Sequence, residues 1–545
     1  MHIQRNKVVY KGKVYRSVLL RQCYYEAGKI KQKTIANLSK MPEYLIRSIE
    51  LAIKRKEISY KIEDLGFEKG VNIGDIGVIY EIAKEIGIEE VIYSKRKKER
   101  DIILMMIIGR ILRPSSKLEN TRWIKRRKEA FGEYFKLDYE RLRVDDLYKG
   151  MDWLMERKEK IEEKLYKKRG SPILFLYDIT SSYFEGEKAE ISEFGYNRDK
   201  KRGKRQIVIG LVMDKEGYPI SIEVFRGNMA DQKTIKGRIE KMKKNYGIER
   251  GVLIGDRGMI TEARMEELEK EGFDYITCLT HRKIEELVKE KESPFYPELF
   301  DEKIPIEIIY KGKRYILCKN EEKEKEERKQ LASLLWKTYK KLKEIRKQVE
   351  KGRLKDEIKI GERVGRWKNR YKVGKYFITE IKRGYFKFYI DKDQLELTKK
   401  LLGCYVIKTS LKEGFTKEQI IDHYKSLSLV DRAFRIIKRS LLNIRPIYHW
   451  KEKRIKTHAF ICMLSYYIVV EMKKRLKELF FENGKGRQYS LTFKNILEEL
   501  REIQIGYINV NGLIIKQLSK MNQLQKDILK NLKVELKLRN KLNTN

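Results

Sequence analysis

Ser171-Pro-Ile-Leu-Phe-Leu-Tyr-Asp178-Ile-Thr-Ser-Ser-Tyr-Phe-Glu-Gly186 is the stretch whose reading decides the fold. Ile173 to Tyr177 is an unbroken apolar run with Pro172 at its start. Such a run reads as a strand buried on both faces, as in a sheet covered by helices. It ends on Asp178, followed by the hydroxyls of Thr180, Ser181 and Ser182. A carboxylate at the carboxyl end of a central strand sits where open sheets expose their chemistry. The alternative is a plain turn cap, so the reading depends on whether other acids join it.

Downstream, Gly195-Tyr-Asn-Arg198-Asp-Lys200-Lys201-Arg202-Gly-Lys204-Arg205 is a dense basic loop. Gln206 to Met213 and Tyr218 to Phe225 read as a hairpin about the turn Asp214–Gly217. Gly227-Asn-Met-Ala-Asp231 opens an amphipathic helix running to about Tyr246. Gly251-Val-Leu-Ile-Gly-Asp256-Arg-Gly258 is a second apolar strand ending on a carboxylate, followed by a helix from Thr261 to Lys270 and a strand from Phe273 to Cys278. Three strands, a helix, a strand, a helix and a strand is the order of a ribonuclease-H-like sheet. Asp178 closes its first strand and Asp256 its fourth.

A third acid comes later. Thr416-Lys-Glu-Gln starts a helix with a capping-box pattern, and Leu427, Val430, Phe434, Ile437 and Leu441 continue it as one apolar stripe. Tyr424, Asp431 and Lys438 are seven apart and share a face, with Arg435 one turn from Asp431. A surface Asp–Arg pair is the bland alternative. Hard divalent cations prefer carboxylate oxygens, and two such ions can clamp the attacking and leaving oxygens of a phosphoryl transfer. Three acids converging at one end of a sheet suit that pair, Mg2+ or Mn2+.

The bulk properties agree with a polyanionic partner. Among 545 residues, Lys and Arg number 124 against 80 Asp and Glu, a formal charge of +44. Nucleic acid is the first candidate for such a balance and an anionic membrane surface the second. The five cysteines form no C-x-x-C pair, which argues against a disulfide framework or a structural zinc and for a reducing, cytoplasmic setting. The longest mostly apolar run, Ala459 to Val470, is too short to span a membrane. Upstream, Val8 to Tyr15 reads as a hairpin about Lys11-Gly12-Lys13, and Asp75 as the N-cap of a helix. Trp123 amid Arg122, Lys125, Arg126, Arg127 and Lys128 is either a phosphate-contacting patch or a core Trp with a solvated flank. Trp367, His449 and His458 are each open to a DNA-contacting or a structural reading.

Tyr177-Asp178-Ile-Thr-Ser-Ser-Tyr-Phe-Glu-Gly186, Gly227-Asn-Met-Ala-Asp231, Ile254-Gly-Asp256-Arg-Gly-Met259 and Val430-Asp431-Arg-Ala-Phe434-Arg-Ile-Ile-Lys438 together resemble the DDE transposases of bacterial insertion sequences. The resemblance is to the superfamily called "IS four", most closely its "IS sixteen-thirty-four" branch. Arg445-Pro-Ile-Tyr448-His449-Trp450 with Arg454-Ile-Lys-Thr-His458 is a further matching piece. The resemblance implies that Asp178, Asp256 and Asp431 are the catalytic, metal-binding acids. It also implies that Tyr424 and Lys438 are the Tyr and Lys of the Y-R-E-K signature. Two positions depart from it: the third acid is Asp where Glu is usual, and Leu427 stands at the Arg position.

The implied activity is metal-dependent cleavage at transposon ends and strand transfer into target DNA. A catalytically weakened DNA-binding relative, or a ribonuclease-H-like nuclease that does not join strands, is the alternative. Tyr424, Arg435, Lys438, Arg198, Lys200, Lys201, Arg202, Lys204 and Arg205 are the expected DNA contacts. Double-stranded terminal repeats and target DNA are the expected partners, with a dimer in the synaptic complex and no membrane. The expected architecture is α/β: a ribonuclease-H-like core over 171–280 and 406–470, interrupted by a mixed α/β insertion over 281–405. A basic N-terminal module (1–65), a helical DNA-binding region (66–170) and a C-terminal helical region (471–545) flank it.

Overall fold

A computed structural model describes residues 1–10, 13–26, 28–53, 65–196, 198–199, 201, 203–229, 233–301, 305–480, 491–510 and 513–536. They fall into two compact units. The smaller holds Met1–Asn72 with Ile503–Lys520, the larger Ile73–Glu502 with Met521–Arg539.

In the smaller unit, β1 (His2–Tyr10), β2 (Lys13–Glu26) and β3 (Lys29–Asn37) form an antiparallel sheet. Tyr10 pairs with Lys13, while the expected turn residues Lys11 and Gly12 lie outside the described residues. A second sheet joins β4 (Leu65–Asn72) to β15 (Gln504–Val510), which also pairs with β16 (Leu513–Leu518). This corrects the all-helical reading of the C-terminal region. Val510 pairs with Leu513 across Asn511-Gly512, a dipeptide that favours two-residue hairpins and itself lies outside the described residues.

The larger unit is built on one eight-stranded mixed sheet. Its first strand, β5 (Leu174–Tyr183), is longer than the apolar run because Thr180, Ser181 and Ser182 continue it. Ile173 lies just outside and is 56% exposed. Antiparallel β6 (Gln206–Met213) and β7 (Pro219–Arg226) lie on one side of β5. Parallel β8 (Gly251–Ile254) and then β9 (Phe273–Cys278) lie on the other. Helices Lys233–Tyr246 and Glu262–Lys270 make the connections; Asp231, expected in the start of the first, lies outside the described residues. The core strands therefore lie in space as β7-β6-β5-β8-β9.

The insertion divides differently from the expectation. β14 (Cys404–Thr409) pairs antiparallel with β9, and β11 (Lys313–Lys319) and β10 (Ile306–Tyr310) follow it, so these strands extend the main sheet. Only the part between them has a core of its own. There the helices Glu321–Glu350 and Glu357–Arg370 pack with the hairpin of β12 (Phe377–Lys382) and β13 (Tyr385–Ile390). Trp367 packs against this core between Lys341 and Arg370.

Helices cover the sheet. The helix Glu452–Arg475 is 24 residues long and apolar enough to cross a membrane, but 83% of its apolar window is buried against the protein, the setting of a core helix. His449 and His458 are buried, and the His458 ring nitrogen Nε2 lies 2.9 Å from the Ile444 carbonyl oxygen. Trp123 is likewise a core residue, edge-on to Phe131. Asp75 is not an N-cap: it lies in the first turn of Gly74–Glu85, buried and paired with the Arg127 guanidinium at 2.7 Å.

Candidate active site

The first two acids meet because the parallel register brings them together. Leu176 pairs with Ile254, and Asp178 and Asp256 each follow two residues later. Neighbouring strands run about 4.8 Å apart, so the two acids lie side by side, Asp178 midway along β5 and Asp256 just past the end of β8. The chains are tight there. A Cβ on Gly255 would lie 3.0 Å from Ile260 Cδ1 and 3.6 Å from the Tyr177 carbonyl oxygen. β8 stops at Ile254, and Asp256 sits exposed in the following turn, where its Oδ1 accepts from the Arg257 N–H at 2.8 Å.

The third acid arrives on a broken helix. The capping box of Thr416 and Gln419 starts Lys417–Lys425 as expected. The apolar stripe then divides into a second helix, Ser428–Arg435, and a π-helical turn, Ile436–Ser440. Asp431 lies in the first turn of the second helix, which packs against β5. Burial pushes the Asp178 carboxyl up to about 7, with the charges of Asp431 and Asp256 adding to the effect. Asp431 is also raised, by desolvation first and then by Asp256, while Arg435 opposes the shift. The three acids are thus within electrostatic reach of one another. Among the described residues, however, no three His, Cys, Asp or Glu side chains stand close enough to hold a metal ion by themselves.

Tyr424 faces the same place from the preceding helix. Burial raises its phenol, and the Cys278 thiol at the end of β9 and the Asp256 charge raise it further. Arg435 is exposed one turn from Asp431. Lys438 differs from the expectation of an open phosphate contact. It is buried, and its ammonium donates to Thr180 Oγ1 at 3.1 Å and to the Ser181 carbonyl at 2.6 Å, and pairs with Asp199 Oδ1 at 2.8 Å.

The family model "Transposase DDE domain" matches residues 169–468, more than half of the chain. The chain belongs to the DDE transposase family. A second model, "IS1634 family transposase, N-terminal domain", matches residues 3–64 and places this insertion-sequence transposase in that branch. No curated protein matches the chain. Among solved structures it is similar to the piggyBac transposase in a synaptic complex with hairpin DNA. That likeness has a TM-score of 0.32 and 10% identity, over 79% of this chain and 80% of the other. DDE transposases generally use divalent metal ions.

The basic loop of the transposase is anchored at its start. Gly195 and Gly227 approach so closely that a Cβ on Gly195 would lie 2.2 Å from the Gly227 carbonyl oxygen. Gln206 Nε2 donates to the carbonyls of Gly227 and Tyr196. Arg198 donates its backbone N–H to Ser181 Oγ at 2.9 Å, and its charge opposes the rise at Asp178. Arg205 is half-buried, bonded to the Ser192 carbonyl, with its guanidinium beside Phe194. Lys201 and Lys204 are exposed, and Lys200 and Arg202 lie outside the described residues. Sequence reasoning passed over Asp199, the acid inside this loop, whose carboxylate holds Lys438, Arg439 and Arg445 at 2.8–3.1 Å. An acid embedded in a run of cations was its only signal.

Proposed function

We propose that the core strands form a ribonuclease-H-like fold whose Asp178, Asp256 and Asp431 cut the transposon ends and transfer them into target DNA. The observation that carries this reading is the convergence of three acids from distant segments, close enough that the charges of Asp256 and Asp431 raise Asp178 and that of Asp256 raises Asp431. Mg2+ or Mn2+, as one ion or a pair, fits this donor set. Mg2+ is commonly held by one or two carboxylates while waters and substrate phosphate supply its remaining ligands, so the chain need not close the site alone. When bound, such an ion stabilises charge on the phosphate and acidifies water.

The residues of the chain supply the rest. Arg435, Lys201 and Lys204 offer exposed cations to the DNA backbone, and Arg198 sets positive charge beside Asp178. Tyr424 lies within electrostatic reach of Asp256. Water attacks the phosphodiester at the element end, the bond to the 3′ oxygen breaks, and a 3′-hydroxyl and a 5′-phosphate result. The freed 3′-hydroxyl then attacks a phosphodiester of the target and displaces a target 3′-hydroxyl. Synapsis of two ends calls for a dimer, and the work belongs in the bacterial cytoplasm.

The test is cleavage of a labelled duplex carrying the element's terminal repeat in Mg2+ or Mn2+. Wild type cuts, and Asp178→Ala and Asp256→Ala do not. Specific binding without cutting by wild type would favour the second reading, a weakened DNA-binding relative, which the short Asp431 and the open acid cluster support.

A further inference from the structure

We propose that one face of the sheet β1–β3 reads guanine edges in the major groove of the terminal repeat, with Arg21 at its centre. The proposal rests on the transposase reading above and names where the repeat is recognised. Side chains alternate between the faces of a strand, so the pairing registers sort them. Gln4 and Asn6 of β1, Arg21 of β2, and Gln32 and Thr34 of β3 share one face. Arg5, on the other face, pairs with Glu43 at 2.6 Å and with Glu50 at 3.3 Å, which sets the helix Glu43–Ile53 on that side.

The hydrogen bonds within this face use acceptors and leave donors. Arg21 Nη1 donates to Gln4 Oε1 at 2.7 Å and to Gln32 Oε1 at 3.0 Å, and Arg21 Nε donates to Thr34 Oγ1 at 3.3 Å. Gln4 Nε2 in turn donates to Asn6 Oδ1 at 2.9 Å. One guanidinium is thus oriented by side chains from both neighbouring strands. Among the described residues, Arg21 Nη2, Gln32 Nε2 and Asn6 Nδ2 have no hydrogen-bond partner. Each keeps two N–H groups for an acceptor outside the sheet.

A surface of donors calls for a partner that offers acceptors. In the major groove guanine alone presents two side by side, N7 and O6, and arginine on that pair is the commonest base-specific contact. Three strands about 4.8 Å apart measure about 10 Å between their outer axes, against about 12 Å for the groove. Residues 1–40 hold ten Lys and Arg against one acid, Glu26, an excess that favours a phosphate backbone nearby. A second copy of the chain would bring the same positive charge to this face and is repelled by it.

The test measures equilibrium binding of the full-length protein, without divalent ions, to a fluorescein-labelled duplex carrying the terminal inverted repeat and to a scrambled duplex of the same composition. Arg21→Lys keeps the charge and gives up the guanidinium fork. It should lose roughly 10–10²-fold on the repeat, the range for one bidentate base contact, and bind the scrambled duplex as wild type does. Lys7→Gln, on the opposite face, should leave the ratio of the two affinities unchanged. Methylation of guanine N7 in the repeat should weaken wild type at defined positions, and at least one of these should cease to matter for Arg21→Ala. If the Arg21 variants fail to fold, Gln32→Ala, which removes an exposed amide from an edge strand, should still lower the ratio. An unchanged ratio in the folded variants would overturn the proposal. So would an equal loss on both duplexes, the mark of a phosphate contact, or an unchanged ratio with an altered oligomeric state in light scattering, the mark of an interface between copies. A wild type that selects the repeat but never cuts it sinks the site reading and leaves this one standing. A wild type that cuts, with Arg21→Ala as selective as wild type, sinks only this one.

Discussion

Asp178 shows what the site costs the protein when no cation is bound. Its carboxyl is raised to about 7 in the folded chain against an ordinary value of 3.8. The contribution to stability is therefore present below the unfolded value and lost as pH rises through about 7. Without divalent ions, Asp178→Asn should melt higher than wild type at pH 8, by on the order of a few degrees, and the difference should vanish near pH 4. Added Ca2+ should raise the melting temperature of wild type at pH 8 and leave that of the variant unchanged, as read by differential scanning fluorimetry. Asp431 invites the opposite change. Glu at this position would extend the carboxylate by about 1.5 Å toward Asp256, whose charge Asp431 already feels. Asp431→Glu should tighten Mn2+ binding several-fold in calorimetric titration of the DNA-free protein. Unchanged affinity would show that reach is not what limits the site.

Elements place these residues, and their contacts can be tested by small changes. Gly195 and Gly227 let the basic loop cross the end of β7 backbone to backbone. Gly195→Ala should destabilise the protein by about 1–3 kcal/mol, the usual cost of overpacking, seen as a lower urea midpoint. Lys117, at the start of the helix Lys117–Arg126, is 4% exposed, and among the described residues its ammonium has no hydrogen bond and no carboxylate partner. Burial lowers its pKa to about 7, with nearby Arg110 adding to the effect. Because the unfolded chain holds that proton to about 10.5, stability falls as pH drops from 10.5 toward 7. Lys117→Met should therefore raise the melting temperature at pH 7, with the gain shrinking toward roughly pH 10.

Over the whole molecule the charge of +44 predicts a strong salt dependence of DNA binding. If six to ten phosphates are neutralised, affinity should fall by roughly 10³–10⁵ between about 50 and 200 mM salt. A nearly flat salt dependence on any duplex would mean that the excess of lysine reflects composition and not a binding surface. Much of the basic content is already engaged within the protein. Arg127 is paired with Asp75, Lys128 with Glu140 and Arg445 with Asp199, so net charge overstates the number of cations free to meet phosphate.

The sequence by itself determined the core strands, the hairpin β6–β7 and the family, whereas Asp178, expected to close its strand, lies midway along β5. Those follow from local apolar runs, turn residues and motifs, which are properties of consecutive residues. It misjudged what depends on distant partners. β10, β11 and β14 look like parts of a separate insertion until β14 is seen paired to β9. The strands β15 and β16 hid in a region read as helical, although Asn511-Gly512 is a hairpin signal in the sequence. Lys438 shares its seven-residue register with Asp431, a pattern that suits an exposed lysine and a buried one equally well. Only the tertiary structure, by bringing Asp199, Thr180 and Ser181 to its ammonium, decided where its three protons go.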